Sequence, residues 1–569
     1  MPRADRSRKG NITIEVCLVS DKWSYGTGAW VRGCAFLDNQ CKSSMELCRH
    51  FEKAVSKSSF AAALKDLNGF FAVIVKRENA LFVGVDRVRS IPLFYSWAED
   101  CLLVSDDPKW IDARLNKRQF DAASVGEFLL AGYVTGRYTL HPQIYQLQAG
   151  EYLIVDFSGR RCRLDSDRYY RFEPSDSSVE SKSALLHKLD EVVLASVKRL
   201  IAVADGRPVV VPLSGGLDSR LIAMSLKRLG CRSVIAFSYG RNANDEARVS
   251  ETIAVQLGIP WHFVEYSEEL WRLWYESQEC QQYISFAEGL SSVAHLQDWP
   301  AVMELKRRGV LPNGALIVPG HTGDFISGGH IPQEFLHFRA FNLQKVVRAI
   351  WRHHYILATP GMASRYAGLK PAVLREYLIQ RIVEGIESVR IRTLDDAVRA
   401  CCLWEWQERQ AKFIVNSVRV YDFWKYEWWL PWWDLEVLEY WSRMPLVYRL
   451  NRRLYREYVA SLQHRLGVAA EQGLTILKKG ASRLFINDML ERLRLFSAAR
   501  WFFWISIKKY IRSKDLERYY ATHPLAWYGI TDLSRCKKLL WARGDVNTII
   551  AMDQLKWKAG RLRASKVDA

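Results

Sequence analysis

Two patterns of apolar residues divide the chain. Between about residues 12 and 155, short apolar runs typical of β-strands, such as 70–75 and 151–155, are separated by turn residues. Beyond about residue 184, helical segments such as 220–229 alternate with apolar strands such as 207–213, which is the pattern of a parallel α/β sheet. From Gln333 onward the pattern is mainly helical. These patterns predict an α/β protein whose two parts are built differently.

A polar, serine-rich segment separates the two patterns. Residues 173–182 lack any hydrophobic period and are typical of a linker. We therefore predict an N-terminal domain over residues 1–172, a linker over 173–183 and a second domain over 184–569. A chain of 569 residues exceeds the size at which a single hydrophobic core keeps growing, which agrees with two domains.

The composition excludes several classes of protein. No apolar run approaches the roughly 20 residues that span a bilayer, and the basic start of the chain lacks the apolar core of a signal peptide. A cytoplasmic protein is expected, and a location at the inner face of the membrane is the open alternative. Residues 493–511 contain an aromatic cluster followed by Lys508 and Lys509, so this segment predicts either a buried helix or peripheral membrane contact.

The net charge and the cysteines bear on the partners and on the kinds of site that the chain can have. The net charge of +19 favours anionic partners, but no nucleic-acid-binding signature accompanies it, so no nucleic-acid partner is predicted. The 11 cysteines form no CxxC pair, which argues against a disulfide framework or a structural zinc. Cys34, Cys41 and Cys48 recur every seven residues, a spacing that predicts one face of a helix rather than a metal site.

The candidate chemistry centres on a loop between an apolar strand and a helix. Residues 214–219 read Ser-Gly-Gly-Leu-Asp-Ser and follow the apolar run 208–213. Glycines let the backbone approach phosphate oxygens, and the helix N-terminus and the two serines offer donors to them. A carboxylate at Asp218 fits such a site if it holds Mg²⁺. The alternative is a glycine-rich turn with an ordinary helix cap. No Walker motif is present, which favours ATP cleavage between the α and β phosphates.

This loop resembles the pyrophosphate-binding motif of the N-type ATP pyrophosphatases, and of asparagine synthetase B in particular. Residues 318–330 resemble that family's second nucleotide and substrate loop, and 426–434 and 478–480 resemble two later segments. The resemblance implies ATP and Mg²⁺ as cofactors, with Asp218 and Asp324 as metal ligands. It implies Lys478 as the catalytic lysine that neutralises transition-state charge. The implied nucleotide-binding residues are Leu213, Ser214, Gly215, Gly216, Asp218, Ser219, Tyr239, Pro319 and Gly320.

The N-terminal part resembles the same family at residues 67–72, 85–95 and 148–152. The resemblance implies an Ntn-type αββα sandwich, followed by a doubly wound parallel-sheet ATP-pyrophosphatase domain with helical elaboration. A working glutaminase of this family has a cysteine directly after the initiator methionine, where this sequence has Pro2, and Cys17 is too far along the chain to replace it. We therefore expect a degenerate amidotransferase domain that no longer hydrolyses glutamine.

The acceptor pocket also departs from the family. His321, Phe325 and Trp429 stand where asparagine synthetase has two glutamates and an arginine, so free aspartate is not the expected substrate. Aromatic faces suit sugars or apolar peptide groups, and the positive net charge suits an acidic acceptor. The sequence is also similar to proteins of surface-polysaccharide clusters that are thought to amidate uronic acids. His321 is either the base that deprotonates an attacking amine or a structural histidine.

Together these features predict an ATP-dependent carbon–nitrogen ligase. The enzyme would adenylate a carboxylate on a small molecule, sugar or peptide, release pyrophosphate, and form an amide with ammonia or an amine. Lys478, His321 and Asp324 are the predicted catalytic residues. Two alternatives stay open: an intramolecular cyclase of the β-lactam synthetase or lasso-peptide type, and a non-catalytic nucleotide-binding scaffold.

Overall fold

A computed structural model describes residues 3–9, 12–26, 28–98, 101–115, 119–159, 162–175, 178–242, 244–468, 522–531 and 546–564. Seventeen strands are defined among them. They are β1 Arg3–Lys9, β2 Ile12–Leu18, β3 Trp23–Gly26, β4 Ala29–Leu37, β5 Gln40–Lys42, β6 Asn68–Lys76, β7 Ala80–Val85, β8 Phe94–Ala98, β9 Cys101–Ser105, β10 Tyr145–Gln146, β11 Glu151–Asp156, β12 Arg163–Arg168, β13 Val209–Pro212, β14 Val234–Gly240, β15 Trp261–Glu265, β16 Leu316–Ile317 and β17 Glu427–Trp428.

Twenty α-helices accompany these strands in the described ranges. They are α1 Ser44–Glu52, α2 Lys57–Lys65, α3 Pro108–Asp112, α4 Ala122–Ala131, α5 Lys182–Ala204, α6 Leu217–Arg228, α7 Asp245–Leu257, α8 Glu268–Glu276, α9 Gln278–Ala287, α10 Trp299–Arg307, α11 Gly323–Ile326, α12 Leu343–His354, α13 Pro360–Ala367, α14 Pro371–Ile386, α15 Leu394–Glu405, α16 Arg419–Phe423, α17 Leu435–Ser442, α18 Leu446–Arg449, α19 Arg453–Arg465 and α20 Val546–Ala564. A π-helix, Trp406–Ile414, follows α15 directly.

The N-terminal half is a sandwich of two sheets. One sheet has the order β1-β2-β9-β8-β10, and the other has β12-β11-β7-β6-β4-β3 with β5 paired to β4. Strand β6 is apolar on both faces: Ala72 and Ile74 face the core between the sheets, whereas Phe71 and Val73 pack under α1 and α2. Helix α3 covers the outer face of β8 and β9 through Ile111. The predicted αββα sandwich is confirmed.

The predicted helical face of cysteines is wrong. Cys34 lies in β4, Cys41 in β5 and Cys48 in α1. The two strands form a hairpin through Asp38 and Asn39, both of which adopt left-handed backbone angles. A two-residue turn of this kind requires positive φ at both positions. The seven-residue interval between the first two cysteines therefore spans a hairpin and not two turns of helix.

The second half contains a parallel sheet with the order β15-β14-β13-β16-β17, in which every neighbouring pair is parallel. From β13 the chain adds β14 and then β15 on one side, and it then returns to place β16 on the other side of β13. The strand order therefore reverses between β13 and β16, and a doubly wound sheet binds ligands at the carboxyl ends of its strands at such a point. The predicted doubly wound parallel sheet with helical elaboration is confirmed.

Buried contacts join the sandwich to the parallel-sheet half. Arg199 on α5 donates to both carboxylate oxygens of Asp434, at 2.6 and 2.8 Å, and Asn68 of the sandwich donates to the same carboxylate at 3.0 Å. Trp429 packs edge-on against Phe70 at 4.7 Å between ring centroids. The predicted linker also contacts the second half, because the amide of Ser175 donates to the carbonyl of Ser442, the last residue of α17. The two halves thus share one packed interface.

No helix in the described part of the chain is both long and apolar enough to cross a membrane. The segment 493–511, for which membrane contact was one expectation, lies outside the described residues.

Candidate functional site

The loop 214–219 lies at the carboxyl end of β13, where the strand order reverses. Its two serines contact each other at 3.2 Å between hydroxyl oxygens, and Ser219 Oγ accepts the amide of Ser214 at 3.1 Å. Helix α6 begins within this loop, at Leu217, and its N-cap residue, Gly216, provides no side-chain cap. The first turn of a 12-residue helix therefore presents its amide groups toward the loop, as in anion-binding helix N-termini.

A second loop, 318–330, follows β16 and packs directly on the first. A methyl group at Gly320 would lie 2.4 Å from the Ser219 amide nitrogen, and one at Gly323 would lie 2.6 Å from Asp218 Cγ. Only glycine permits so close an approach of the two backbones. Thr322, between these glycines, has a left-handed φ of 81° and donates from Oγ1 to Gln410 of the π-helix at 3.1 Å. Residues far apart in sequence thus fix the spacing of the loops.

Asp218 projects from the first loop toward the second. Arg452, in the turn before α19, forms an ion pair with Asp218 and also donates to Ser327 Oγ at 2.9 Å. Burial raises the pKa of Asp218, and the nearby charge of Asp324 adds to this rise while Arg452 opposes it. The two predicted metal ligands are therefore brought close enough to interact electrostatically.

Asp324 belongs to a chain of charged groups that sequence reasoning missed. His330 Nε2 donates to Asp324 Oδ2 at 2.8 Å, and its Nδ1 donates to the buried Glu405. Burial disfavours the imidazolium, but Glu405 and Asp324 outweigh burial and raise the pKa of His330 to about 10. Burial likewise opposes ionisation of Asp324, yet His330 and Arg452 hold its pKa well below its usual range. This carboxylate is therefore ionised across the neutral pH range.

The residues expected to bind the nucleotide lie near the carboxyl ends of the strands of this sheet. Leu213 is buried, and its amide donates to the Phe237 carbonyl at 2.8 Å. Tyr239 is the penultimate residue of β14 and stacks on Tyr266 at 5.2 Å between ring centroids. Pro319 and Gly320 open the second loop. The structure thus collects these predicted residues at one edge of the sheet.

His321 lies beside the loops and behaves differently from His330. Its Nδ1 contacts Ser417 Oγ at 3.2 Å. Burial lowers the pKa of His321 to about 4, in spite of the opposing charge of Asp298. The imidazole is therefore neutral near pH 7. A neutral imidazole can accept a proton, although so low a pKa makes it a weak base.

The two aromatic residues expected to face the acceptor are instead packed in the interior. Phe325 is buried against Phe172 and Trp433 at centroid distances of 5.5 and 6.1 Å. Trp429 is buried against aromatic rings of the sandwich. The expectation that aromatic faces at these two positions meet the acceptor is wrong, because both rings are buried in the interior.

Several functional positions were not predicted from the sequence. His330 lies within the second loop, where nothing in the local sequence indicates a role for it, and Arg452, Glu405 and Gln410 have no local signal, since they lie 75 to 234 residues from the groups they contact. A π-helix is rare and often marks a functional site, but its sequence carries no signature. Lys478, the predicted catalytic lysine, lies outside the described residues.

Comparison with known protein families decides the identity. The family model for asparagine synthase matches residues 188–494, which is more than half of the 569-residue chain and includes both loops. This chain belongs to the asparagine synthase family. As a member of that family it is an ATP-dependent amide-forming ligase. A glutamine amidotransferase domain model matches residues 53–170. That match does not reach residue 2, so the loss of glutamine hydrolysis stays a prediction.

Similarity to solved structures is weaker. Among solved structures, this asparagine synthase family member is similar to an NH3-dependent NAD synthetase from Campylobacter jejuni, at 15% identity and a TM-score of 0.18, covering 37% of this chain and 85% of that one. It is also similar to a glutamine-dependent NAD+ synthetase from Acinetobacter baumannii, at 12% identity and a TM-score of 0.17, covering 58% and 82%. A glutamine phosphoribosylpyrophosphate amidotransferase from B. subtilis matches at 12% identity and 0.17, covering 52% and 62%. Scores this low carry no further argument. No curated protein sequence matches.

Proposed function

We propose that this enzyme activates a carboxylate by transferring AMP to it from ATP, and that ammonia or an amine then displaces AMP to form an amide. The close packing of the two loops carries the proposal. It places an uncapped helix N-terminus, suited to pyrophosphate, beside Asp218 and Asp324. Oriented amides and charges of this kind stabilise a departing pyrophosphate more than the ground state.

Magnesium fits this arrangement. Mg²⁺ in nucleotide sites is held by one or two carboxylates together with phosphate oxygens, and Asp218 and Asp324 supply two carboxylates that interact. The ion would supply positive charge to the phosphates. His330 holds Asp324 in position, and Arg452 neutralises Asp218.

The acceptor is proposed to be an acidic compound, such as a uronic acid of a surface polysaccharide. The support is the net charge of +19 and the replacement of the family's two glutamates by His321 and Phe325. His321 is neutral near pH 7, as acceptance of a proton from an attacking amine requires. Lys478 is proposed to face the nucleotide phosphates. The nitrogen is proposed to come from ammonia or an amine.

Exchange of labelled pyrophosphate into ATP tests this proposal. We expect exchange to depend on an added carboxylate and to be lost in Asp218→Ala, with Glu191→Ala, at a side chain on α5 that is 65% exposed, as the control that retains it. Mass spectrometry of the product then separates the alternatives. Addition of the donor mass minus water indicates intermolecular amidation, whereas loss of one water from a single substrate indicates a cyclase. Nucleotide binding without exchange for any carboxylate would favour the scaffold alternative and contradict the proposal.

A further inference from the structure

A cleft of about 740 Å³ lies between the sandwich and the parallel-sheet half, separate from both loops. Three parts of the chain line it: residues 19–22 and 106–109, which follow β2 and β9; residues 89–94, in the turn before β8; and α9 together with the segment around α16. No residue of 214–219 or 318–330 lines the cleft. The cleft is therefore a second cavity, built at the junction of the two halves.

The cleft is lined mainly by polar and charged side chains. Its basic residues are Lys22, Arg32, Arg89, Lys109, Arg419 and Lys425, and its acidic residues are Asp21, Asp106, Asp107 and Asp422. Basic groups thus outnumber acidic ones. Asp422 is already shared by Arg419 at 2.9 Å, Lys22 at 3.2 Å and Arg32 at 3.5 Å.

Arg89 differs from the other cations of the cleft. It is only 3% exposed, yet it forms no ion pair with any described residue, and its Nε has no hydrogen-bond partner there. Its guanidinium lies 5.7 Å from the centre of the Phe94 ring, and its backbone adopts a left-handed φ of 55°. Burial lowers the pKa of Arg89 to about 9 and the charge of Arg419 adds to this, whereas the charges of Glu408 and Asp86 oppose it, although neither carboxylate forms an ion pair with Arg89. A buried charge without a directly paired counter-charge is costly to the folded state.

We propose that this cleft binds a small anion through Arg89, by a carboxylate or phosphate group that pairs directly with the guanidinium. A guanidinium offers paired N–H donors that match either group. Neighbouring amides and hydroxyls of the lining, such as Gln281, Ser291 and Asn416, can orient the rest of the ligand. The proposal does not depend on the reaction assigned to the two loops, since none of their residues takes part.

Isothermal titration of the full-length protein with malonate and, separately, with inorganic phosphate tests the site at constant ionic strength. We expect saturable binding of at least one anion, and the preferred one identifies the group. Arg89→Met should weaken that binding at least 10-fold, and Arg89→Lys, which keeps the charge but not the paired donors, should weaken it less. Arg6→Met, at an arginine whose side chain is 75% exposed, is the control and should bind as the unmodified protein does. Binding that survives Arg89→Met belongs to another site, including the helix N-terminus at 214–219.

Thermal unfolding without added anion provides a second readout. Arg89→Met should unfold at the same temperature or higher, because it removes an unpaired buried charge, whereas an arginine with a structural role would lower the unfolding temperature on removal. No saturable binding of either anion to the unmodified protein would overturn the proposal, and so would equal affinity in Arg89→Met. If Arg89→Met does not fold, equal affinity in Arg89→Lys and the unmodified protein overturns it.

Discussion

The two loops at the carboxyl edge of the parallel sheet each carry one aspartate, but they hold it differently. In the first loop Asp218 is largely buried, its pKa is raised by burial, and a single cation, Arg452, pairs with it. In the second loop the Asp324 side chain is 43% exposed, and His330, itself held by Glu405, keeps it ionised. The second loop therefore offers a carboxylate that His330 and Arg452 keep ionised across the neutral pH range, whereas burial outweighs Arg452 at the first loop and raises the pKa of Asp218.

The comparison predicts that both carboxylates are needed, although their pKa values are shifted in opposite directions. Asp324→Asn and Asp218→Asn should each reduce carboxylate-dependent pyrophosphate exchange roughly 10²- to 10³-fold, the cost of removing one preorganised electrostatic group. Steady-state exchange rates at saturating ATP measure this. A fall of less than about threefold in either variant would contradict a shared role for the two aspartates.

The next largest effect on pyrophosphate exchange is expected from a change in the spacing between the two loops. Gly323→Ala places a methyl group 2.6 Å from Asp218 Cγ, so either the Asp218 side chain or the second loop must shift. We expect exchange to fall roughly 10- to 100-fold, since displacements near 1 Å can cost that much, with little change in unfolding temperature.

A matched control is available on α13. Gly361→Ala meets no atom within 4 Å and should leave exchange unchanged. Equal rates for the unmodified enzyme and Gly323→Ala would show that loop spacing does not limit the reaction.

The smallest expected effect concerns stability. Because the pKa of His330 is raised to about 10 from its usual 6.5, its contribution is complete below pH 6.5 and is lost progressively as pH rises toward 10. The free energy of unfolding should therefore decline between pH 6.5 and 9, by up to about 1.4 kcal/mol per pH unit for one proton.

Urea denaturation at pH 6.5, 7.5 and 9 measures this slope. His330→Gln should flatten it, whereas His187→Gln, at an exposed position on α5, should retain it. An identical slope in His330→Gln and the unmodified protein would rule out a raised pKa at His330.

The first loop could be predicted from the sequence because its function follows from local chemistry. Two glycines, two serines and a following helix create a phosphate site from consecutive residues, and Asp218 was assigned with them. The fold class was predictable for the same reason, since strand and helix periods are local.

The support of the second loop could not be predicted, because it comes from residues distant in sequence. His330, Glu405 and Arg452 reach Asp324 and Asp218 only after the helices have packed. The roles of Phe325 and Trp429 were misjudged for a related reason. Their burial depends on the sandwich covering the parallel-sheet half, and no local pattern reports contact between halves.

The nucleotide products test the central claim most directly. The enzyme is incubated with ATP, a carboxylate that supports pyrophosphate exchange, and an amine donor, and the products are separated by anion-exchange chromatography. The account predicts AMP and pyrophosphate in equal amounts, matching the amide formed. Formation of ADP and inorganic phosphate instead would contradict cleavage between the α and β phosphates, and with it the adenylate.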